Sequence, residues 1–532
     1  MLNSFSRSIN HRSYLTHTQR ISTYVLINKL YASLKSVNPR CHTLNIHKPT
    51  VCSLYSSPRT QPLEQFVSSR PNILFIMSDD HAAHAISAYG SQINNTPNID
   101  RLANEGVRLD NTFCTNALCT PSRATILTGQ FSHVNEVKTL DDKIDSSRPI
   151  QSQKLMKEAG YDTAIIGKWH LGNDDASNPQ GFDYWNILPG QGDYYDPTFF
   201  ENGVEKKHEG YVTDLITDFA VDWLDSRDKD TEDPFFLMVH HKAPHSSWIP
   251  AKRHENLGVE GEFPEPDNLM DTYETRSEAV KMTSIRIEDT RKPNLKFDPP
   301  EGITKDEKRK WAYQRYITDY TRTIAAVDES VGTLLDYLDE NGLAENTLVV
   351  YTSDQGMFLG DHGWHDKRFM YEESLRMPFL ARLPGEIEAG SVSNHMLLNV
   401  DFAPMFLDFG GVEIPEEMQG TSGRKVLSND VPDDWQTSMY YRYWMHTIGH
   451  KVIPNYGVRN ERYKLIYYYG VTPEDTGDPS IKIDPEWELY DLEEDPREMN
   501  NVYGSPDYVK VQATMLAELD RLQAEAKDTP RH

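Results

Sequence analysis

Four short apolar runs in this chain each stop abruptly at polar residues. "NILFIM" (72–77) runs into Ser78-Asp79-Asp80-His81, and "TAII" (163–166) into Gly167-Lys168-Trp169-His170. "PFFLMV" (234–239) runs into His240-His241-Lys242, and "NTLVVYT" (346–352) into Ser353-Asp354-Gln355-Gly356. Runs that are apolar on both faces need cover on both faces, which a mostly parallel sheet between layers of helices provides. The segments between them carry helical patterns, such as "TDLITDFAVDWLDSRD" (213–228) and the stretch from Trp311 to Leu338. Strand and helix alternate, so the expected class is α/β, with a large mostly parallel sheet and flanking helices. In such sheets the chemistry collects beyond the carboxyl ends of the strands. All four runs deliver their polar residues there.

Residues 173–210 and 246–307 read as long loops rich in Pro, Gly, Asp and aromatics, and loops of that length are often functional. Near Asp433 the pattern changes to antiparallel strands at 438–444, 456–470 and 487–496, closed by an amphipathic helix at 507–528. The reading divides the chain into an extension (1–70), a catalytic domain (71–432) and a C-terminal subdomain with a small antiparallel sheet and helix (433–532). Residues 1–70 hold nine Lys/Arg against one acid, Glu64, and no apolar stretch longer than "YVLI". That suits a transit-like leader or disordered extension better than a secretory signal. The whole chain carries a formal charge of −27, so the remainder is more acidic still. Such a surface excludes nucleic acid as a partner, and any anion site must be locally positive. No apolar run approaches the length of a membrane span. The four cysteines, Cys41, Cys52, Cys114 and Cys119, form neither a disulfide framework nor a zinc spacing.

Cys119 stands out within "NALCTPSRATILTGQ" (116–130). Thr120 suits a helix N-cap and Pro121 the first turn. Cys119 would then lie at the positive end of a helix, where an anion is favoured, with Arg123 adding a fixed charge. An isolated cysteine is more often inert filler. Its neighbours argue otherwise. "CTPSRATILTG" (119–129) matches the pattern C-x-P-S-R-x-x-x-L-T-G, and "GKWHLG" (167–172) matches a second motif. On these motifs the chain resembles the type I, formylglycine-dependent sulfatases over about residues 71–532. It is similar in particular to bacterial N-acetylglucosamine-6-sulfatases and mucin-desulfating sulfatases. That closer likeness lies in "QGFDYWNILPGQGDYYDP" (180–197), "HHKAPHSSW" (240–248) and "DQGMFLGDHGWHDKRFMYEESLRMP" (354–378).

The resemblance implies an alkaline-phosphatase-like fold and a sulfuric ester hydrolase. It implies that a maturation enzyme oxidises Cys119 to formylglycine, an aldehyde that hydrates to a gem-diol. Asp79, Asp80 and Asp354 match ligands of one divalent cation, usually calcium, beside residue 119. Gln355 stands where the family often has Asn or His, and its amide oxygen still suits a hard cation. Alone, Asp79-Asp80 would read as a turn. Arg123, Lys168 and Lys367 match the cations that neutralise the sulfate. His170 matches the base acting on residue 119, and His245 the acid for the leaving group, with His241 as the alternative. His81, His84, His362 and His365 read as structural, with His365 near the pocket rim. The implied substrate is a sulfated saccharide, most specifically N-acetylglucosamine 6-sulfate at a chain end. Tyr194, Tyr195 and Trp248 are placed to stack on sugar faces. Other readings are an arylsulfatase, a phosphonate or phosphate monoester hydrolase on the same scaffold, or an unmodified homologue that only binds sulfated glycans. The resemblance also implies export.

Overall fold

The computed structural model describes residues 70–529 apart from 229, 230, 232, 259–261, 446–449 and 474–481. The reading of residues 1–70 as an extension falls almost wholly outside the described residues. All four apolar runs are strands of one eleven-stranded sheet. In chain order its first members are β1 (Asn72–Ser78), β2 (Val107–Phe113), β3 (Asp162–Lys168), β4 (Tyr184–Leu188), β5 (Thr198–Glu201) and β6 (Val204–Lys207). β7 (Phe235–His240) and β8 (Thr347–Ser353) follow. Next comes a separate two-stranded ribbon, β9 (Phe358–Leu359) with β10 (His365–Asp366), and then the last sheet members, β11 (Arg376–Arg382), β12 (Ser391–Ser393) and β13 (Leu397–Leu398). The spatial order is β12-β2-β11-β8-β1-β7-β3-β4-β5-β6, with β13 also on β2.

β8, β1, β7, β3 and β4 run parallel, and their register brings their carboxyl ends level. Ser78 lies opposite Ser353, Met77 opposite His240, Gly167 opposite His240 and Lys168 opposite Leu188. β11 is antiparallel to both β8 and β2. Side chains alternate across the sheet. Ile73, Phe75 and Met77 enter one buried cluster, while Leu74 and Ile76 enter the other. Helices Val212–Ser226 and Lys305–Glu340 cover the second face, contributing Ile216, Val331 and Leu335. Each such fully buried side chain stabilises the fold by about 1.5–3 kcal/mol. The longer helix starts at a capping box: Thr304 Oγ1 accepts from Glu307 N, and Glu307 Oε2 accepts from Thr304 N.

The expectation of an uninterrupted loop at 173–210 is incorrect. That segment contributes β4, β5 and β6, which extend the sheet past β3. "YWNIL" is only five residues long and becomes a strand by pairing with β3, which local pattern does not reveal. The described residues of the 246–307 segment are loop broken by short helical turns until the long helix starts at Lys305. The C-terminal residues form a four-stranded antiparallel sheet, β14 (Ser438–Tyr443), β15 (Asn455–Asn460), β16 (Tyr463–Tyr468) and β17 (Glu486–Asp491), in that spatial order. The run read at 456–470 is therefore a hairpin of two strands. Helix Val509–Glu525 packs Met515 and Leu519 onto Val458, Leu465 and Leu489 of this sheet.

Candidate active site

The level strand ends place charged side chains side by side. Asp79 and Asp80 leave β1, Asp354 leaves β8 beside them, and Lys168 closes β3. The three carboxylates present oxygens within 4.8 Å of one another. Gly167 allows the close approach of β3 to β7. Its φ is +105°, and a Cβ there would lie 2.0 Å from the His240 carbonyl oxygen.

Cys119 opens a fully buried helix, Cys119–Thr128, that ends at Gly129 in the left-handed conformation. The structure corrects the capping expectation. Leu118 occupies the N-cap, with no side-chain cap, and Thr120 Oγ1 instead donates to the His170 carbonyl at 3.0 Å. Cys119 Sγ, a His245 ring nitrogen and an Asp79 oxygen lie within 4.8 Å of one another. Burial raises the Cys119 thiol far above its ordinary value, and Asp79 adds to the rise against Lys367 and Lys168. A thiolate at this position, expected from the helix end alone, is therefore disfavoured.

Arg123 reaches Asp354 Oδ2 from Nε at 3.0 Å and from Nη2 at 2.9 Å, and its Nη1 donates to the Lys168 carbonyl at 2.8 Å. Lys168 Nζ donates to Asp79 Oδ2, and Lys367 Nζ donates to Asp80 Oδ1 at 2.5 Å. Burial pushes Asp80 up to about 6 against the pull of Lys367, with Asp79 raising it further. Burial and then Asp79 push Asp354 up to about 7. Burial also raises Asp79, but Lys168, His245 and Arg123 together hold it well below the usual carboxylate range. Three carboxylates against Arg123, Lys168 and Lys367 leave no net positive charge for an anion.

The donor set fits a hard divalent cation. Asp79 Oδ1 and Gln355 Oε1 are buried without a hydrogen-bond partner among the described residues. Gln355 Nε2 donates to Asp80 Oδ1 at 2.5 Å, which leaves its amide oxygen available. Oxygen ligands of this kind suit calcium or magnesium and disfavour zinc.

His245 and His241 separate clearly. His245 Nδ1 donates to the Ser246 carbonyl at 2.9 Å, and its Nε2 sits 3.8 Å from Asp80. Burial lowers its pKa well below the histidine range, against the pull of Asp79. His241 is buried with Nε2 at 3.1 Å from Ser330 Oγ. His81 bonds Tyr351 OH, and His362 lies 3.0 Å from Asp271, both structural as expected.

A cavity of about 600 Å³ opens above these groups, lined by Asp80, Cys119, Gln191, His245, His365 and Lys367. The 246–307 segment supplies part of its wall through Ser246, Asp289, Arg291 and Asn294. Asp366, Arg368 and His450 line the same wall, with His450 Nε2 at 3.2 Å from Asp366 Oδ2 and Arg368 Nε at 3.3 Å from Asp366 Oδ1. Sequence reading passed over these three. Asp366 and Arg368 flank Lys367, a usable signal, whereas nothing local marks His450. Trp248 lines this cavity, but neither it nor Tyr194 offers a free ring face for the expected stacking on a sugar. Trp248 is 1% exposed, with its ring 4.5 Å from Tyr316, and Tyr194 is 3% exposed, stacked on Tyr211. Tyr195 is half-buried and donates its hydroxyl proton to the Pro250 carbonyl at 3.0 Å.

Residues 71–412 match the family model described as Sulfatase, and residues 360–525 match that described as N-sulphoglucosamine sulphohydrolase, C-terminal. An N-acetylglucosamine-6-O-sulfatase of Bacteroides thetaiotaomicron is 45% identical over 507 residues, which covers 87% of this chain and 88% of the relative. A solved structure of a protein in complex with its substrate D-glucosamine-2-N,6-O-disulfate superposes with a TM-score of 0.79 at 43% identity. That match covers 86% of this chain and 98% of the neighbour. The phosphonate monoester hydrolase of Agrobacterium radiobacter shares the fold at 20% identity, with a TM-score of 0.67 over 86% of this chain and 96% of its own.

Proposed function

This chain belongs to the sulfatase family, with an alkaline-phosphatase-like fold, and from that premise we propose that it removes the 6-O-sulfate of N-acetylglucosamine or its 2-N-sulfated counterpart at a saccharide end. It is a sulfuric ester hydrolase acting on carbohydrate sulfates. One observation carries the site assignment. Asp79, Asp80, Asp354, Arg123, Lys168 and Lys367 gather around residue 119, and Asp80, Lys367 and residue 119 line one cavity.

Asp79, Asp80, Asp354 and Gln355, with residue 119, would hold one divalent cation of the calcium or magnesium kind, calcium by family resemblance, which would supply the positive charge that the balanced site lacks. Converted to formylglycine by a maturation enzyme and hydrated, residue 119 supplies two hydroxyls: one passes its proton to a neighbouring carboxylate of the Asp79, Asp80 and Asp354 set as its oxygen attacks sulfur, and deprotonation of the other expels sulfate. Arg123, Lys168 and Lys367 neutralise the charge that builds on the sulfuryl oxygens. His245 Nδ1 is committed to the Ser246 carbonyl, so Nε2 faces the cavity and carries a proton only in the imidazolium form, which burial disfavours and Asp79 favours. Lys367, held protonated beside Asp80, therefore supplies the proton to the departing sugar oxygen together with His245. His170 takes the proton from the remaining hydroxyl of residue 119. Asp366, Arg368, His450 and the Arg291 segment meet the sugar, in place of the buried aromatics. Residues 71–432 form the catalytic domain and 433–532 the C-terminal subdomain in this proposal.

The test is a panel assay of matured enzyme on 6-sulfated N-acetylglucosamine, glucosamine-2-N,6-O-disulfate, other sulfated sugars and an aryl sulfate. The 6-sulfated sugars should show the highest kcat/KM. Activity confined to aryl sulfates would reject the sugar assignment, and binding without turnover would reject the enzyme.

A further inference from the structure

β4 lies beside β3 with Leu188 opposite Lys168, and the chain then turns tightly, Gly192 N donating to the Pro189 carbonyl at 3.0 Å. Gly190 and Gly192 both have positive φ, +53° and +66°, and between them Gln191 lines the active-site cavity. Lys242 Nζ clamps the Gln191 carbonyl at 3.0 Å. The orientation of the Gln191 carboxamide follows from chemistry. The Lys168 ammonium only donates, so the atom 2.5 Å from it is Oε1. Nε2 then faces His170 Nε2 at 3.2 Å. An amide nitrogen only donates, so His170 Nε2 is the nitrogen with the lone pair.

The other edge of the ring agrees. Thr120 Oγ1 has one proton and gives it to the His170 carbonyl. Toward His170 Nδ1, at 3.4 Å, it therefore accepts, so Nδ1 carries the proton. His170 itself holds φ +55°, a strained value for a residue with a Cβ, which persists where the surroundings over-determine it.

We propose that Gln191 is a positioning residue: it sets His170 in the Nδ1–H tautomer, with the lone pair on Nε2 turned toward the Gln191 amide that lines the cavity, and couples that choice to Lys168. An imidazole without such partners takes either tautomer, and the wrong one turns the lone pair against Thr120. The catalytic consequence rests on the reading of His170 as the base. The tautomer itself does not.

The experiment uses full-length protein with unconverted Cys119, labelled with ¹⁵N-histidine, and long-range ¹H–¹⁵N correlation of the ring nitrogens. The His170 signals are those lost in His170→Asn. Wild type should show the Nδ1–H tautomer. Gln191→Glu still accepts from Lys168 but cannot donate, so His170 should switch to a form protonated on Nε2. A wild-type Nε2–H tautomer, or no change in Gln191→Glu, overturns the proposal. In matured enzyme, Gln191→Glu and Gln191→Met should lower kcat by about 10- to 100-fold with KM for an aryl sulfate unchanged, the size typical of lost outer-sphere positioning. A rise in KM with kcat intact would make Gln191 a sulfate contact and overturn the positioning role. If wild type shows the expected tautomer yet no sulfatase activity, the functional reading fails and the tautomer assignment stands.

Discussion

At the residue scale, a thiol raised by burial and by Asp79 is neutral at ordinary pH and a weak nucleophile. Protein made without a maturation enzyme should therefore be inactive, and co-expression with one should restore turnover. Peptide mass spectrometry across residues 111–123 reads the conversion directly, and full activity with an intact Cys119 thiol would sink the assignment. Cys119→Ala should abolish turnover yet lower stability by only about 1 kcal/mol, because few buried atoms are lost. The carboxylate trio makes a second prediction. Calcium should stabilise the protein in a concentration-dependent way, by about 2.7 kcal/mol at a hundredfold excess over Kd, read as a raised melting temperature. Asp354→Asn should lose both that shift and the activity, with elemental analysis reporting the metal content. Metal-free protein that keeps full turnover contradicts the site.

The element scale explains why residues far apart in sequence meet. Parallel pairing of β1 with β8 and β7 levels the strand ends, so each strand's next residues share one rim. Close approach of β3 and β7 depends on Gly167. Gly167→Ala sets a Cβ 2.0 Å from the His240 carbonyl oxygen at positive φ, and should destabilise the protein by about 2 kcal/mol or more while displacing Lys168. Gly342→Ala has the same φ sign but no atom within 4 Å, so it should cost only about 1 kcal/mol and leave kcat unchanged. Denaturant melts and kcat for the two variants separate strain from clash. Equal losses would show that the close approach is not what Gly167 provides.

For the whole molecule, the charge of −27 surrounds a pocket whose own carboxylates and cations are in balance until a divalent cation binds. A polyanionic polymer is repelled at long range, and the repulsion is screened by salt. Short saccharide sulfates should outperform polymers in dilute buffer, with the gap in kcat/KM narrowing as salt is added. Faster turnover of intact polymer than of monosaccharide at low salt would contradict action at chain ends. No helix among the described residues is long and apolar enough to cross a membrane.

Sequence alone determined the α/β class, the four strands and the polar residues at their ends, because a strand buried on both faces leaves a contiguous apolar run and stops visibly where the apolar residues stop. It also determined the Cys119 segment, whose residues are close neighbours in one helix. It did not contain β4, whose five residues become a strand only by pairing with β3. Gln191 therefore went unread, since its place beside Lys168 depends on that pairing. Trp248 and Tyr194 were misread because burial is imposed from elsewhere in the chain, by Tyr316 and Tyr211. Thr120 was misread because its hydroxyl has two possible partners, and only the packing of the His170 turn against the helix decides between them. His450, distant in sequence from the rest of the site, lines the cavity only because the fold sets it 3.2 Å from Asp366. Local chemistry is written in the order of residues, while partners, exposure and proton placement follow from which segments the fold brings into contact.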